Sequence, residues 1–169
     1  MLQQSSYKKK PITIEILVKL SLLIALSGVG AYIKIQGSIA LDSLPAFFAA
    51  LYMGPVFGGV VGLIGHLVSS MTAGFPLTLP MHLVIALQMW CIVYAFGIIW
   101  RRINPLGATI IAILLNGPLA ALVAAPVSSL LGLPLKGWTL FLVMWLPLTA
   151  VSIVNVSLAA ILFKRLRRN

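Results

Sequence analysis

The stretch "LPAFFAALYMGPVFGGVVGLIGHLVSS", residues 44–70, decides the fold of this chain of 169 residues. It is almost wholly apolar, yet it contains five glycines and a single histidine. The Gly54-Pro55 pair near its middle is a turn signal. Gly58, Gly62 and Gly65 follow at spacings of four and three, which places them on one face of a helix. Because small residues let helix backbones approach closely in lipid, the stretch predicts a tightly packed helical hairpin.

The composition of the whole chain predicts an integral membrane protein. Hydrophobic residues make up 61% and charged residues 8%, and the mean hydropathy is +1.11. A soluble domain needs a more polar surface than this. The net charge of +10 comes mainly from short clusters beside apolar runs, at Lys8–Lys10, Arg101-Arg102 and Lys164–Arg168. Such clusters are typical of cytoplasmic membrane anchors and argue against a nucleic-acid partner.

We predict an all-α integral membrane protein, one domain over residues 1–169, built as a six-helix transmembrane bundle. The predicted spans are residues 12–35, 43–54, 56–73, 80–100, 105–131 and 138–163. The first is interpreted as a retained span and not as a signal peptide, because it is long and lacks a cleavage site. Reading residues 43–73 as a single span would place Arg101-Arg102 opposite the N-terminus. The positive-inside rule therefore favours six spans, with both termini in the cytoplasm.

Polar residues are distributed unevenly along the predicted spans, with most of them toward the outer side. Polar side chains are costly inside a membrane, so each one needs an explanation. We expect an outward-facing cup with apolar and aromatic walls and a few polar groups that orient a ligand. Each residue also has a structural alternative, such as helix packing or interfacial anchoring. The candidate substrate-binding residues are Asp42, His66, Phe75, His82, Gln88, Asn116, Trp138 and Trp145.

The sequence argues against an enzyme, and we predict neither a cofactor nor a metal site. Glu15 and Asp42 are the only acidic residues, and they are predicted on opposite sides of the membrane. The chain contains no H-E-x-x-H, no G-x-S-x-G and no P-loop motif. Cys91 is the only cysteine, so an internal disulfide is impossible.

Two pairs of small residues lie four apart in the first span, Ser21 with Ala25 and Ser27 with Ala31. Each pair would form a smooth patch on the helix. From the sequence alone, such a patch is either an internal packing face or a surface for another subunit.

The string "ALDSLPAFFAALYMGPVFGGVVGLIGHLVSSMTAGFP", residues 40–76, resembles the substrate-binding (S) subunits of energy-coupling factor (ECF) vitamin transporters. The shared pattern is a polar residue, a Leu-Pro start, Gly-Pro, a glycine-spaced helix and a returning helix. The chain's size and predicted spans also match. The resemblance implies a bacterial plasma-membrane protein that binds a vitamin tightly. Its implied partners are a transmembrane T subunit and two cytoplasmic ATPases, and Ser21 and Ala25 correspond to the family's docking contact.

The predicted cup has few fixed charges, and its tryptophan and phenylalanine residues favour a flat ring. Within the family, the chain is most similar to the binders of cobalamin precursors. The expected ligand is therefore a largely neutral heteroaromatic, with α-ribazole or dimethylbenzimidazole preferred. A riboflavin- or thiamine-type S subunit, a stand-alone secondary carrier and a structural membrane protein are the alternatives.

Overall fold

The computed structural model describes residues 13–168, so the Lys8–Lys10 cluster lies outside the described residues. The described chain is mostly helical, with one short β-hairpin of β1 (Lys34–Gln36) and β2 (Ile39–Ala40). We number the helices α1 (Ile14–Gly30), α2 (Leu44–Tyr52), α3 (Pro55–Thr72), α4 (Leu79–Ile99), α5 (Pro105–Leu130) and α6 (Gly137–Arg168). The bounds of α3, α4 and α5 lie within one residue of the predicted segments. Helix α1 ends five residues before the predicted position 35, and α6 extends five residues beyond the predicted position 163.

Four of these helices begin with proline in their first turn, at Pro45, Pro55, Pro80 and Pro105. Proline suits this position because its φ angle is already helical and the missing N–H would have no partner inside the helix. At α5 the Asn104 side chain also accepts a hydrogen bond from the Gly107 N–H at 2.8 Å. These local signals fix where the helices start.

The chain turns sharply between α2 and α3, as the Gly54-Pro55 pair predicts. Gly54 has φ +120°, a conformation that is favourable only for glycine. Residues 43–73 therefore form two helices and not one.

Helix length separates α3, α4, α5 and α6 from the other two. These four helices are long and apolar enough to cross a bilayer. Helix α1 has 17 residues and α2 has nine. Nine residues reach about 13 Å, less than half of a hydrocarbon core of about 30 Å. The hairpin is thus confirmed, but α2 by itself is too short to span.

The β-hairpin explains why α2 is short. The predicted spans leave residues 36–42 outside the bundle as a connecting loop, yet Ile39 and Ala40 are buried. The Asn155 amide Nδ2, far along α6, donates to the Ala40 carbonyl at 3.4 Å. The segment before α2 therefore enters the bundle, and α2 covers only the remaining depth.

The glycine face of α3 packs against three helices, as predicted. A Cβ placed on Gly58 would lie 2.5 Å from Cβ of Ala50 in α2. A Cβ on Gly62 would lie 3.2 Å from Val93 in α4, and one on Gly65 would lie 2.8 Å from Ser27 in α1. Only glycine permits these approaches without displacing a neighbour, so α3 is the central helix of this half of the bundle.

The two small-residue pairs of α1 have different surroundings. Ser27 and Ala31 are fully buried, and they form the internal packing face. Ser21 and Ala25 are exposed. Ser27 and Ala31 therefore serve internal helix packing, whereas Ser21 and Ala25 remain available to a partner subunit.

A π-helical turn at Leu115–Leu119 interrupts α5. Pro118 lies inside it and has no N–H to donate to the preceding turn, so the regular hydrogen-bond pattern cannot continue. A Cβ on Gly117 would lie 2.9 Å from Cα of Thr149, which shows how closely this turn packs on α6.

Basic residues from separate parts of the chain meet at one end of the bundle. A Cβ on Gly54 would lie 3.6 Å from the Arg101 guanidinium. The Trp100 and Phe163 rings are 6.1 Å apart, and the Lys164 ammonium lies 5.8 Å from the Trp100 ring. We call this the basic end.

The glycine packing gives a first prediction. Gly58→Val should destabilise the protein by about 1–3 kcal/mol, because the new side chain would collide with the α2 backbone. The measurement is the thermal unfolding midpoint in detergent. Ala150→Val, on an exposed part of α6, is the control and should leave the midpoint nearly unchanged. Equal midpoints for both variants would contradict the packing described here.

Candidate functional site

A cavity of about 90 Å³ lies inside the bundle and receives side chains from α3, α4, α5, α6 and the segment before α2. Its walls are mainly aliphatic and include Met89 and Met144. None of the described residues that line it is tryptophan, tyrosine, phenylalanine, lysine or arginine. The polar residues of the lining are Ser38, Asp42, Ser43, His66, Gln88 and Asn116. Four of the eight predicted site residues therefore share one cavity.

Three of the polar groups lie at the same depth. Each of these groups is eleven residues from the end of its helix that lies nearest the basic end. The pairs are His66 with Pro55 in α3, Gln88 with Ile99 in α4, and Asn116 with Pro105 in α5. At about 1.5 Å per residue this is about 16 Å, roughly half of a hydrocarbon core. The three polar groups thus share one level of the bundle, about as far from the basic end as half of a hydrocarbon core is thick.

His82 and Phe75 lie behind His66. The His66 Nε2 and His82 Nδ1 atoms are 3.2 Å apart, and the Leu77 backbone N–H donates to His82 Nε2 at 3.4 Å. His82 is fully buried, and the Phe75 ring centroid is 5.7 Å from that of His82. These two predicted site residues therefore support His66 and do not line the cavity.

The two amide side chains of the cavity are anchored on neighbouring helices. Gln88 Nε2 donates to the Ala120 carbonyl at 3.1 Å. Asn116 Nδ2 donates to the Ser152 hydroxyl at 2.8 Å, and that hydroxyl donates to the Leu148 carbonyl at 2.7 Å. Asn116 Oδ1 is buried and has no hydrogen-bond partner. Asn116 also lies in the π-helical turn, a feature common at functional sites.

Asp42 lies between β2 and α2, outside the helices. Its carboxyl lies near the Ser69 hydroxyl and the Lys34 ammonium. Ser69 Oγ is buried and lacks a hydrogen-bond partner of standard geometry. Asp42 is thus the one acidic group of the cavity lining.

Trp138 and Trp145 do not line this cavity. They lie on either side of Phe141 along α6, and the three rings form a stacked row. The Phe141 ring centroid is 4.6 Å from that of Trp138 and 6.4 Å from that of Trp145. Trp138 is 63% exposed and Trp145 is 38% exposed. Trp138 is the second residue of α6, a position that favours the interfacial role left open by the sequence. Contact of either tryptophan with a ligand stays a prediction.

Several lining residues were not predicted. Met89, Met144 and Leu140 are ordinary apolar residues of long helices, and no local signal distinguishes those that face a cavity. Ser38 and Ala40 line it because the β-hairpin enters the bundle. Gly37, with φ +54°, marks that turn in the sequence, but nothing local shows that the hairpin lies inside.

Comparison with known proteins assigns the family. Residues 16–167 match the family model described as "ECF transporter, substrate-specific component". No curated protein and no solved structure gives a significant match to the chain. The match covers most of the sequence and agrees with the resemblance at residues 40–76. The chain therefore belongs to the family of substrate-specific components of ECF transporters.

Proposed function

We propose that the cavity binds a flat, largely neutral heteroaromatic vitamin or precursor, with dimethylbenzimidazole or its riboside α-ribazole as the best candidate. As a family member, the chain is the substrate-binding subunit of an ECF transporter and works with a T subunit and ATPase subunits. The single observation that carries the ligand proposal is the lining: aliphatic walls with a few polar side chains and, among the described lining residues, no lysine or arginine.

The charge of the lining supports a neutral or weakly basic ligand. A ligand with several carboxylates would need arginine or lysine partners, and no described lining residue is cationic. Asp42 supplies the one acidic group.

The size of the cavity favours a compact ligand. A water molecule needs about 10–15 Å³ on this measure, so about 90 Å³ holds only several waters. A bicyclic ring suits this space better than a riboflavin-sized molecule. Met89 and Met144 would contact the ring faces, because thioethers pack favourably on aromatic surfaces.

We further propose that Ser21 and Ala25 form the docking face for the T subunit. They are exposed on α1, while Ser27 of the same helix packs against Gly65. A smooth exposed patch allows a partner helix to approach closely. In this arrangement, ligand binding and partner docking use different surfaces of the protein.

We also propose that the basic end faces the cytoplasm of a bacterium. Arg101, Arg102 and Lys164 lie at this end, near lipid headgroups in that orientation. The chain would then cross the membrane with both termini inside, and the Gly54-Pro55 turn between α2 and α3 would lie at the cytoplasmic side.

The lining predicts the effect of removing a polar group. Gln88→Leu and Asn116→Leu should each weaken binding of α-ribazole about tenfold, or ~1.4 kcal/mol, because a buried hydrogen bond is lost. Isothermal titration calorimetry of the purified protein measures this. Thr109→Val, outside the cavity lining, is the matched control. Unchanged affinity in both leucine variants would refute this site.

The docking face predicts a separation of binding from transport. Ala25→Leu should abolish vitamin uptake by cells that contain the complete transporter, while the isolated subunit binds ligand as before. Ala150→Leu, on an exposed part of α6, should leave both unchanged. Loss of binding together with uptake would contradict separate surfaces. Gradient-driven uptake by this chain alone in proteoliposomes would favour the secondary carrier instead.

The orientation predicts which end can be labelled. In a Cys91→Ala background, which removes the one native thiol, Lys136→Cys should react with an impermeant maleimide in intact cells. Arg101→Cys should react only after the cells are opened. Labelling of the position 101 variant from outside would reverse the proposed orientation.

A further inference from the structure

We propose that backbone groups fix the hydrogen-bond polarity of the cavity, so that His66 is a donor and Gln88 and Asn116 are acceptors. The ligand must then offer an unprotonated ring nitrogen or carbonyl oxygen to His66, and N–H or hydroxyl groups to the two amides. This proposal rests on the proposed function, because it takes the cavity as the ligand site.

The histidine polarity follows from the Leu77 backbone. The Leu77 N–H can only donate, so the His82 nitrogen that faces it, Nε2, must be an acceptor. A neutral imidazole has one N–H, and His82 Nδ1 therefore carries it and donates to His66 Nε2 at 3.2 Å. By the same rule, His66 carries its proton on Nδ1. That atom has no hydrogen-bond partner among the described residues, and His66 lines the cavity.

Both rings are taken as neutral because of their position. His82 is fully buried, and burying a charge without a partner is costly. A proton added to His82 Nε2 would also oppose the Leu77 N–H, donor against donor. The chain of contacts therefore allows one tautomer for each ring.

The amide polarity follows from two backbone carbonyls. The Ala120 carbonyl can only accept, so Gln88 must turn its NH₂ toward it, which leaves Oε1 free. Ser152 uses its single proton on the Leu148 carbonyl, so it must accept from Asn116 Nδ2. Asn116 Oδ1 is then a buried acceptor without a partner. This logic does not depend on telling amide oxygen from nitrogen by position alone.

The polarity narrows the ligand class. A ring with an unprotonated nitrogen and hydroxyl or N–H donors satisfies all three groups. A ring that lacks the acceptor nitrogen would bury the His66 N–H without a partner, which weakens its binding. The cavity should therefore discriminate between rings of equal shape.

The tautomers can be measured without any ligand. The chain has two histidines, so histidine labelled with ¹⁵N gives four ring-nitrogen signals, and a His82→Phe variant assigns them. We expect both rings to carry the proton on Nδ1. A His66 ring protonated on Nε2, or on both nitrogens, would overturn the proposal. This outcome is independent of whether the proposed vitamin is correct.

The second test compares two compounds of the same shape, 5,6-dimethylbenzimidazole and 5,6-dimethylindole. The indole lacks the acceptor nitrogen, and we expect it to bind the wild-type protein at least tenfold more weakly. In His66→Phe the benzimidazole should fall to the affinity of the indole. Equal binding of both compounds by the wild type would overturn the proposal. If neither compound binds, the proposed ligand class is wrong, and the ¹⁵N spectrum alone decides the polarity.

Discussion

Hydrogen-bonding groups at the middle of a membrane protein must find partners within the chain, because hydrocarbon offers none. The described structure meets this demand almost everywhere near mid-depth. His82 is held by Leu77 and His66, Asn116 by Ser152, and Asn155 by Ala40. Among the described residues, the buried side-chain polar atoms that remain without partners are on Ser69, Asn116 and Asn155. Of these three residues only Asn116 lines the cavity, so its Oδ1 is the unsatisfied atom for which a ligand would supply a partner.

The glycines of α3 make this arrangement possible. Gly58, Gly62 and Gly65 bring α2, α4 and α1 close to one helix, and the next residue, His66, faces the cavity. The same packing buries Ser27 of α1 and leaves Ala25 of that helix exposed. One helix therefore positions both the ligand site and the proposed docking face. A mutation in the glycine face should affect both through the fold, whereas substitutions at either surface should act separately.

The sequence predicted what depends on local signals. Gly54-Pro55 located the hairpin, and polar residues within apolar runs located four cavity residues. It could not predict features that depend on tertiary contacts. The inserted β-hairpin depends on the distant Asn155, so no local signal indicated that Ile39 and Ala40 are buried. Trp138 and Trp145 were assigned to the site by residue type. Both are exposed on α6 and neither lines the cavity.

The central claim is that the ligand of this S subunit lies at mid-depth, against His66, Gln88 and Asn116. The most direct measurement is a cryo-electron microscopy structure of the subunit with its ligand bound, in complex with a fiducial antibody fragment. The account predicts ligand density in contact with these three side chains, surrounded by aliphatic residues and methionines. Ligand density against the exposed Trp138–Phe141–Trp145 row, with the cavity free of ligand, would contradict it.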